Sequence, residues 1–304
     1  MERELRGTLN DVNGFLSLIR PYCTGDKARF EISWTLRPGC FEKYGRLNYW
    51  MDLHSIADGE VVKFILNDLN APQQIKNAFE QFTGPLCVGF GFATTGGWPV
   101  LRLYLHGRGR KAHERAGYYE AWRWDPHGTV KKHVYTFQFH SDITGSAVSG
   151  SIPAVFTDAF NKMTGNERFK QTSGYWIRKD AAGITDNIYL ALPWMPPVGQ
   201  LPGIDQVLND LNIPDCFRRQ VAEFPVRNFG YKIKNGTPEI TIYTPGEIFG
   251  EIPDNEAELQ YAVLKAANEA NAYLELFADA LQPGVTGNQS QPSFAQVSWD
   301  GFSK

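Results

Sequence analysis

On the second strand of four expected hairpins a basic or polar side chain stands two residues before a tyrosine: Arg102-Leu-Tyr104, His133-Val-Tyr135, Asn187-Ile-Tyr189 and Thr241-Ile-Tyr243. Lys131 extends the second of these at the same spacing. Arg46, Asn48 and Trp50 repeat the spacing upstream, and Tyr231 lies on the strand expected to pair with Tyr243. Side chains two apart on a strand point to one face, so each charge or amide shares its face with a phenol. Fixed cations beside hydroxyl donors can hold a polyanion. Tyrosine rings can face a carbocation, each contact being worth about 0.5–2 kcal/mol. Glu31, in Phe30-Glu-Ile-Ser-Trp34, adds a carboxylate that shares its face with Ser33 and Thr35, away from Phe30, Ile32 and Trp34.

The elements that must position these groups are hairpins. Strands are expected over Phe30–Leu36 and Arg46–Leu53, Leu86–Phe92 and Val100–His106, Glu120–Trp124 and Val130–Phe139, Ser173–Arg178 and Asn187–Leu192, and Val226–Lys234 and Glu239–Tyr243. Asp125-Pro-His-Gly128 and Asn235-Gly-Thr-Pro238 are turn sequences. Helical patterns cover 8–20, 58–82 with a break at Pro72, 151–163, 204–224 and 255–281. Two of them match internally. Ile65–Phe82 and Val207–Phe224 both carry Asn-Asp-Leu-Asn-x-Pro and both end in Phe before a hairpin. The expected unit is therefore helix, strand, strand, counted about five times. Ten antiparallel strands avoid exposed edges by closing into a barrel, and a barrel of that size is too wide to fill with its own side chains. The fold expected is α+β: a ten-stranded antiparallel barrel of five αββ units, helices outside, ligand inside. It forms a single domain over residues 1–304, with 282–304 a flexible tail or lid.

Composition narrows the function. A net charge of −3 gives no field for nucleic acid. No run of about 18 apolar residues suggests a membrane span, and the N-terminus has no apolar leader core, so a cytoplasmic protein is expected. The four cysteines are scattered and read as reduced thiols. No P-loop, GxSxG, HExxH or Asp-rich DDxxD motif is present. Arg108-Gly-Arg-Lys111 reads as a solvated loop.

In the order of its elements and in these motif residues, the chain resembles the aromatic prenyltransferases of the ABBA barrel type. The closest likeness is to the indole-prenylating, dimethylallyltryptophan synthase-like branch with its compact cyanobacterial indole-alkaloid members. In that branch the first strand carries a glutamate, matching Glu31, and the second an arginine, matching Arg46. The fourth carries Lys-x-Tyr, matching Arg102 and Tyr104. The sixth carries Arg-x-Lys-x-Tyr, matching Lys131, His133 and Tyr135. The eighth carries Gln-x-Tyr, matching Asn187 and Tyr189, and the last hairpin gives tyrosines, matching Tyr231 and Tyr243.

The resemblance implies transfer of a dimethylallyl or geranyl group from its diphosphate to an indole ring carbon of a small alkaloid or tryptophan derivative. The diphosphate would lie on Arg46, Arg102, Lys131, His133 and Asn187. The tyrosines would shield the cation, and Glu31 would orient the indole. Gly174, near where related enzymes gate chain length, would leave room for geranyl. No covalent cofactor is implied. Where His133 stands for lysine a positive charge is lost, and Mg²⁺ held by Asp186 or Asp52 could supply it. The family's lysine on the third strand has no match here. Partners would be the donor and acceptor alone, in a monomer or weak dimer. Prenylation of a peptide Trp or Tyr, or a non-catalytic barrel for an apolar ligand, are the alternatives.

Overall fold

The computed structural model describes residues 11–23, 27–82, 85–95, 98–107, 118–139, 174–183, 185–192, 195–201, 203–234 and 237–280. Ten strands form one closed barrel: β1 (Lys27–Arg37), β2 (Cys40–Asp52), β3 (Pro85–Thr95), β4 (Trp98–Gly107), β5 (Tyr118–Trp124), β6 (Val130–Phe139), β7 (Gly174–Lys179), β8 (Thr185–Ala191), β9 (Asn228–Lys234) and β10 (Thr237–Phe249). Each strand pairs antiparallel with the next, and β10 returns to pair antiparallel with β1.

Alternation along each strand sorts the two faces. In β1, Phe30, Ile32, Trp34 and Leu36 are fully or almost fully buried in an outer core, whereas Arg29, Glu31, Ser33 and Thr35 face the lumen. Leu47 and Tyr49, Phe90 and Phe92, Leu103 and Leu105, Ile188 and Leu190, and Ile240 and Ile242 continue the outer layer. Covering an apolar outer face is what lets the inner face be polar.

Helices supply the cover. α1 (Val12–Ile19) is capped by Asp11, whose carboxylate accepts the Gly14 N–H at 2.8 Å, and its Phe15 stacks on Phe92 at 5.5 Å. α2 (Ile56–Asp68) and α3 (Gln73–Gln81) precede β3, and α4 (Ile204–Asp210) and α5 (Asp215–Ala222) precede β9. Phe224, just after α5, stacks on Trp34 at 4.3 Å. α6 (Glu256–Ala280) lies against β10 at Gly246, where a Cβ would come within 2.6 Å of the Val263 carbonyl. Only glycine permits that approach.

The internal repeat has a physical basis. In both copies the last Asn of Asn-Asp-Leu-Asn is left-handed, Asn70 at φ 49° and Asn212 at φ 50°. The next N–H then closes the helix, Ala71 donating to the Leu66 carbonyl at 2.9 Å and Ile213 to the Leu208 carbonyl at 3.0 Å. Pro72 and Pro214 stand at the start of the following helices. This is a helix stop with a side chain that tolerates positive φ, followed by a residue that cannot continue the helix. Asn212→Ala should lower stability by about 1–2 kcal/mol, the cost of a left-handed residue with an ordinary Cβ. Urea denaturation would reveal it, and an unchanged midpoint would remove the argument.

Helices precede three of the five hairpins. The segments before the other two, 108–117 and 140–173, lie outside the described residues, as do the expected helix over 151–163, the Arg108–Lys111 loop and the tail from 282. Most strands run longer than the sequence suggests, β2 and β10 by the most. β2 begins directly after the Gly39 turn, and β10 continues past Pro245 because Pro245 and Gly246 still pair with Glu31 and Phe30. Among the described residues, Cys23, Cys87 and Cys216 are free, and no helix is long and apolar enough to cross a membrane.

Candidate functional site

A cavity opens inside the barrel, lined by Glu31, Arg46, Asn48, Trp50, Tyr104, Tyr119, Tyr135, Trp176, Tyr189, Asn228 and Tyr243. Its empty space, counted out to the solvent, is about 490 Å³.

Glu31 and Asn48 face each other across β1 and β2, and the Asn48 Nδ2 donates to Glu31 Oε1 at 2.7 Å. Glu31 is 8% exposed and Asn48 2%. Burial pushes the Glu31 carboxyl up to about 7, against the lowering effects of the Asn48 hydrogen bond and the Arg46 charge. At neutral pH the group is therefore poised between acceptor and acid.

Aromatic rings surround the middle of the cavity. Trp50 lies 5.3 Å from Tyr104 and 6.3 Å from Tyr119, and Tyr119 lies 4.2 Å from Trp176. Tyr189 lies 5.9 Å from Tyr135 and 5.7 Å from Tyr243. Glycines on the inner face make room for two of these rings. A Cβ on Gly89 would meet the Trp50 ring at 2.7 Å, and one on Gly230 would meet Tyr189 at 2.7 Å.

Cations gather toward the end of the barrel where β1 finishes. Arg46, Arg102, Arg123, Lys131, Arg178 and Lys232 occupy inner-face register positions there. Arg46 Nη1 donates to the Tyr243 hydroxyl at 2.8 Å. The Tyr189 hydroxyl accepts from Asn187 Nδ2 at 2.9 Å and from Arg178 Nη1 at 3.4 Å. Glu239, a carboxylate on this part of the wall, is already held by Arg37 at 2.8 Å and by Lys232. Burial, and then the adjacent Arg46 charge, pull the Arg102 guanidinium down to about 10. Its Nη1 is buried without a hydrogen-bond partner, as are Asn187 Oδ1 and Trp50 Nε1. Buried donors and acceptors left unmade are costly, and clustered like charges more so. The lumen is thus electrostatically prepared for an anion.

Of the residues that the sequence offers, Glu31, Arg46, Tyr104, Tyr135, Tyr189 and Tyr243 line the cavity together. Arg102 stands on the same face as Tyr104, its guanidinium in the group of cations. Lys131 is exposed at the rim, and His133 is half-buried opposite Ala121. Asn187 is buried and its amide is committed to Tyr189. Gly174 is buried on the inner face, opposite Ala191, at the end of β7 away from Arg178. Tyr231 is different. Its backbone pairs with Ile188 and Ile240, whose side chains belong to the outer core, so its register position is on the helix-covered face. Alternation decides this: Gly230, not Tyr231, shares the inner face with Tyr189. The Tyr231 side chain itself is outside the described residues.

Of the two carboxylates proposed for Mg²⁺, Asp52 is already engaged by an arginine. Asp52 is the last residue of β2, about 20 Å along the strand from Arg46, and is paired with Arg29 at 2.5 Å. The Asp186 side chain lies outside the described residues. Among the described residues no group of three His, Cys, Asp or Glu side chains could hold a metal ion.

Sequence reasoning passed over Tyr119, Arg123, Trp176, Arg178 and Asn228, which lie on the first strands of the last three hairpins. The signal was available in Tyr119-Glu-Ala-Trp-Arg123, where Tyr119, Ala121 and Arg123 share a face opposite Trp122 and Trp124.

A scan against protein-family models finds no matching family, and a search of curated proteins finds none significantly similar to the chain.

Proposed function

We propose that this barrel is an aromatic prenyltransferase, moving a dimethylallyl or geranyl group from its diphosphate to an indole ring carbon of a small alkaloid or tryptophan derivative. One observation carries the reading: the Arg46 guanidinium and a buried carboxylate–amide pair line the same tyrosine-rich cavity, with Arg102, one Nη of which is buried without a partner, on the same face as Tyr104. An apolar-ligand carrier would need neither group.

In the proposed reaction the allylic C–O bond breaks and its electron pair leaves with the diphosphate, which Arg46 and Arg102 hold. The allylic cation then lies against Tyr104, Tyr135, Tyr189 and Tyr243, which lower its energy and exclude water. The indole N–H donates to Glu31, and as the ring carbon attacks, the carboxylate stabilises the positive charge spreading onto nitrogen. The carbon that forms the new bond then loses its proton to a diphosphate oxygen, which restores the aromatic ring and balances the step. The small Gly174–Ala191 pair at the far end supports room for the longer geranyl tail. The burial of Glu31 favours a small acceptor over a peptide side chain.

The test is incubation of the full chain with dimethylallyl and geranyl diphosphates and a panel of indoles, tryptophan and Trp- or Tyr-containing peptides, followed by mass spectrometry. Prenylated indole is the expected product. Prenylation of peptides alone would move the acceptor class, and no product with any pair would overturn the reading.

A further inference from the structure

The end of the barrel where β1, β5 and β9 begin has a polar lining that the proposed reaction leaves unused. Three side chains that line the cavity there bring hydrogen-bond donors: Trp50, Tyr119 and Asn228. The benzene edge of Trp50 covers Gly89, so its pyrrole edge turns away from β3, and its Nε1 is buried without a partner. Among the described residues the Tyr119 hydroxyl and the Asn228 amide have no hydrogen bond either. Burial pushes the Tyr119 phenol up, so the hydroxyl keeps its proton and stays a donor. Donors left unmade are costly, and a ligand that accepts from them recovers the cost.

Arg227 adds a charge at the rim. Its N–H donates to the Tyr243 carbonyl and its carbonyl accepts from the Leu192 N–H, both at 2.9 Å, which pins it beside β8 and β10 immediately before Asn228. The phenol that acts on its guanidinium is Tyr119 of β5, four strands from β9 around the barrel, so the side chain reaches over the lumen. Arg227 is half-buried, and burial pulls its guanidinium down to about 10. Among the described residues that guanidinium has neither ion pair nor hydrogen bond. The carboxylates facing this end are already engaged. Asp52 is paired with Arg29, Glu247 stands directly opposite the same arginine and acts on it, and Glu31 accepts from Asn48. Among the described residues this end therefore offers an unpaired cation with three donors beside it, and no unpaired carboxylate.

We propose that the aromatic acceptor is an acid without a free amine: an indole-alkanoic acid whose carboxylate Arg227 grips, with Trp50 Nε1, Tyr119 and Asn228 donating to its oxygens. This rests on the prenyltransferase reading and narrows its acceptor. A guanidinium beside neutral donors suits a carboxylate, which takes two hydrogen bonds from one arginine and more from its neighbours. An ammonium would meet Arg227 with no carboxylate to offset it. β1 and β9 flank β10, so Glu31 and Arg227 are anchored roughly 10 Å apart, two strand spacings. An indole with its N–H on Glu31 and a short acidic arm on the pyrrole ring bridges the span between the two side chains.

Calorimetric titration of the full chain uses probes that share one ring: indole-3-propionate, 3-ethylindole, tryptamine and tryptophan. The propionate should bind about tenfold more tightly than 3-ethylindole, the size of one charge-assisted hydrogen bond, and more tightly than either amine. Arg227→Gln should lose most of that preference, and Arg227→Lys should keep part of it. The preference is a ratio within one protein, so a merely structural role of Arg227 would not move it. Equal wild-type affinity for the propionate and 3-ethylindole would overturn the proposal, as would an unchanged preference in Arg227→Gln. Tryptophan bound as tightly as the propionate, or tryptamine bound best, would overturn the exclusion of the amine. Incubating the same probes with dimethylallyl and geranyl diphosphates separates this proposal from the wider reading. Prenylation of 3-ethylindole with the same kcat/KM as the propionate would remove the acid site and leave the prenyltransferase reading intact. Selective binding of the propionate with no prenylated product from any probe would overturn the prenyltransferase reading and leave the carboxylate site standing.

Discussion

Glu31→Gln is expected to lose about 10²–10³-fold in kcat/KM for the indole acceptor, the range for removing one preorganised group that stabilises transition-state charge. The substitution keeps the shape and an oxygen for the Asn48 Nδ2, so the loss isolates the carboxylate charge. Wild-type activity should follow the same group through pH. Burial raises its carboxyl to about 7, so kcat/KM should fall with a slope of one below pH about 7, where the protonated acid no longer accepts the N–H. In Glu31→Gln that limb should vanish. Stability runs the other way. A folded-state value of about 7 against an ordinary 4.5 means that the fold binds the proton more tightly than the unfolded chain does. The associated stability is complete below pH about 4.5 and is lost as pH rises through about 7, by on the order of 3 kcal/mol. Glu31→Gln should therefore be more stable than wild type at pH 8 and little different at pH 4. Full activity in the glutamine variant, with the acid limb still present, would remove Glu31 from the mechanism.

The second large effect is expected at a residue that touches no ligand. Gly89 lies beneath the Trp50 ring, with a built Cβ only 2.7 Å from Cε3 and Cζ3. The ring is hemmed by Tyr104 and Tyr119 at 5.3 and 6.3 Å, so in Gly89→Ala it must tilt into the cavity. Overpacking of this kind costs about 1–3 kcal/mol. The functional loss should be larger, about 10²-fold, because a reacting atom displaced by an ångström loses its alignment. The cost should grow with the size of the acceptor. Diphosphate affinity should change less, because Arg102 stands opposite Gly91 and not opposite Gly89. Kinetics with a small and a bulky indole, beside diphosphate titration, would check this. Equal loss for both acceptors together with weakened diphosphate binding would mean general damage to the barrel instead.

The architecture was readable because alternation along a barrel strand is a strong signal when one face meets helices and the other a wet lumen. Phe30-Glu-Ile-Ser-Trp34 declares both faces in five residues, and the paired Asn-Asp-Leu-Asn-x-Pro stops mark two helix breaks by their chemistry. Other parts needed the third dimension. Tyr231 looked like a member of the tyrosine group because it precedes Tyr243 on the same hairpin. Which of Gly230 and Tyr231 faces inward depends on the register with β8 and β10, which no short window contains. Arg123 and Arg178 stand on the first strands of their hairpins, outside the polar-x-tyrosine spacing of the second strands, although a closed barrel brings both strands equally to the lumen. Asp52 is held by Arg29, which reaches it from the neighbouring strand. Pairings of this kind arise between strands, and local sequence carries little trace of them.

Closure of the sheet by β1 and β10 has a bearing on how the molecule comes into being. The seam joins Lys27 to Phe249 and Leu36 to Ile240, nearly the two extremes of the strand-forming chain. During synthesis, nine strands must leave the ribosome and wait with β1 unpartnered along one edge until the tenth arrives. Contacts so distant in sequence close slowly, and open edges invite other chains. Carboxy-terminal truncation into β10 should therefore produce insoluble protein instead of a weakened barrel, and slow expression at low temperature should raise the soluble yield.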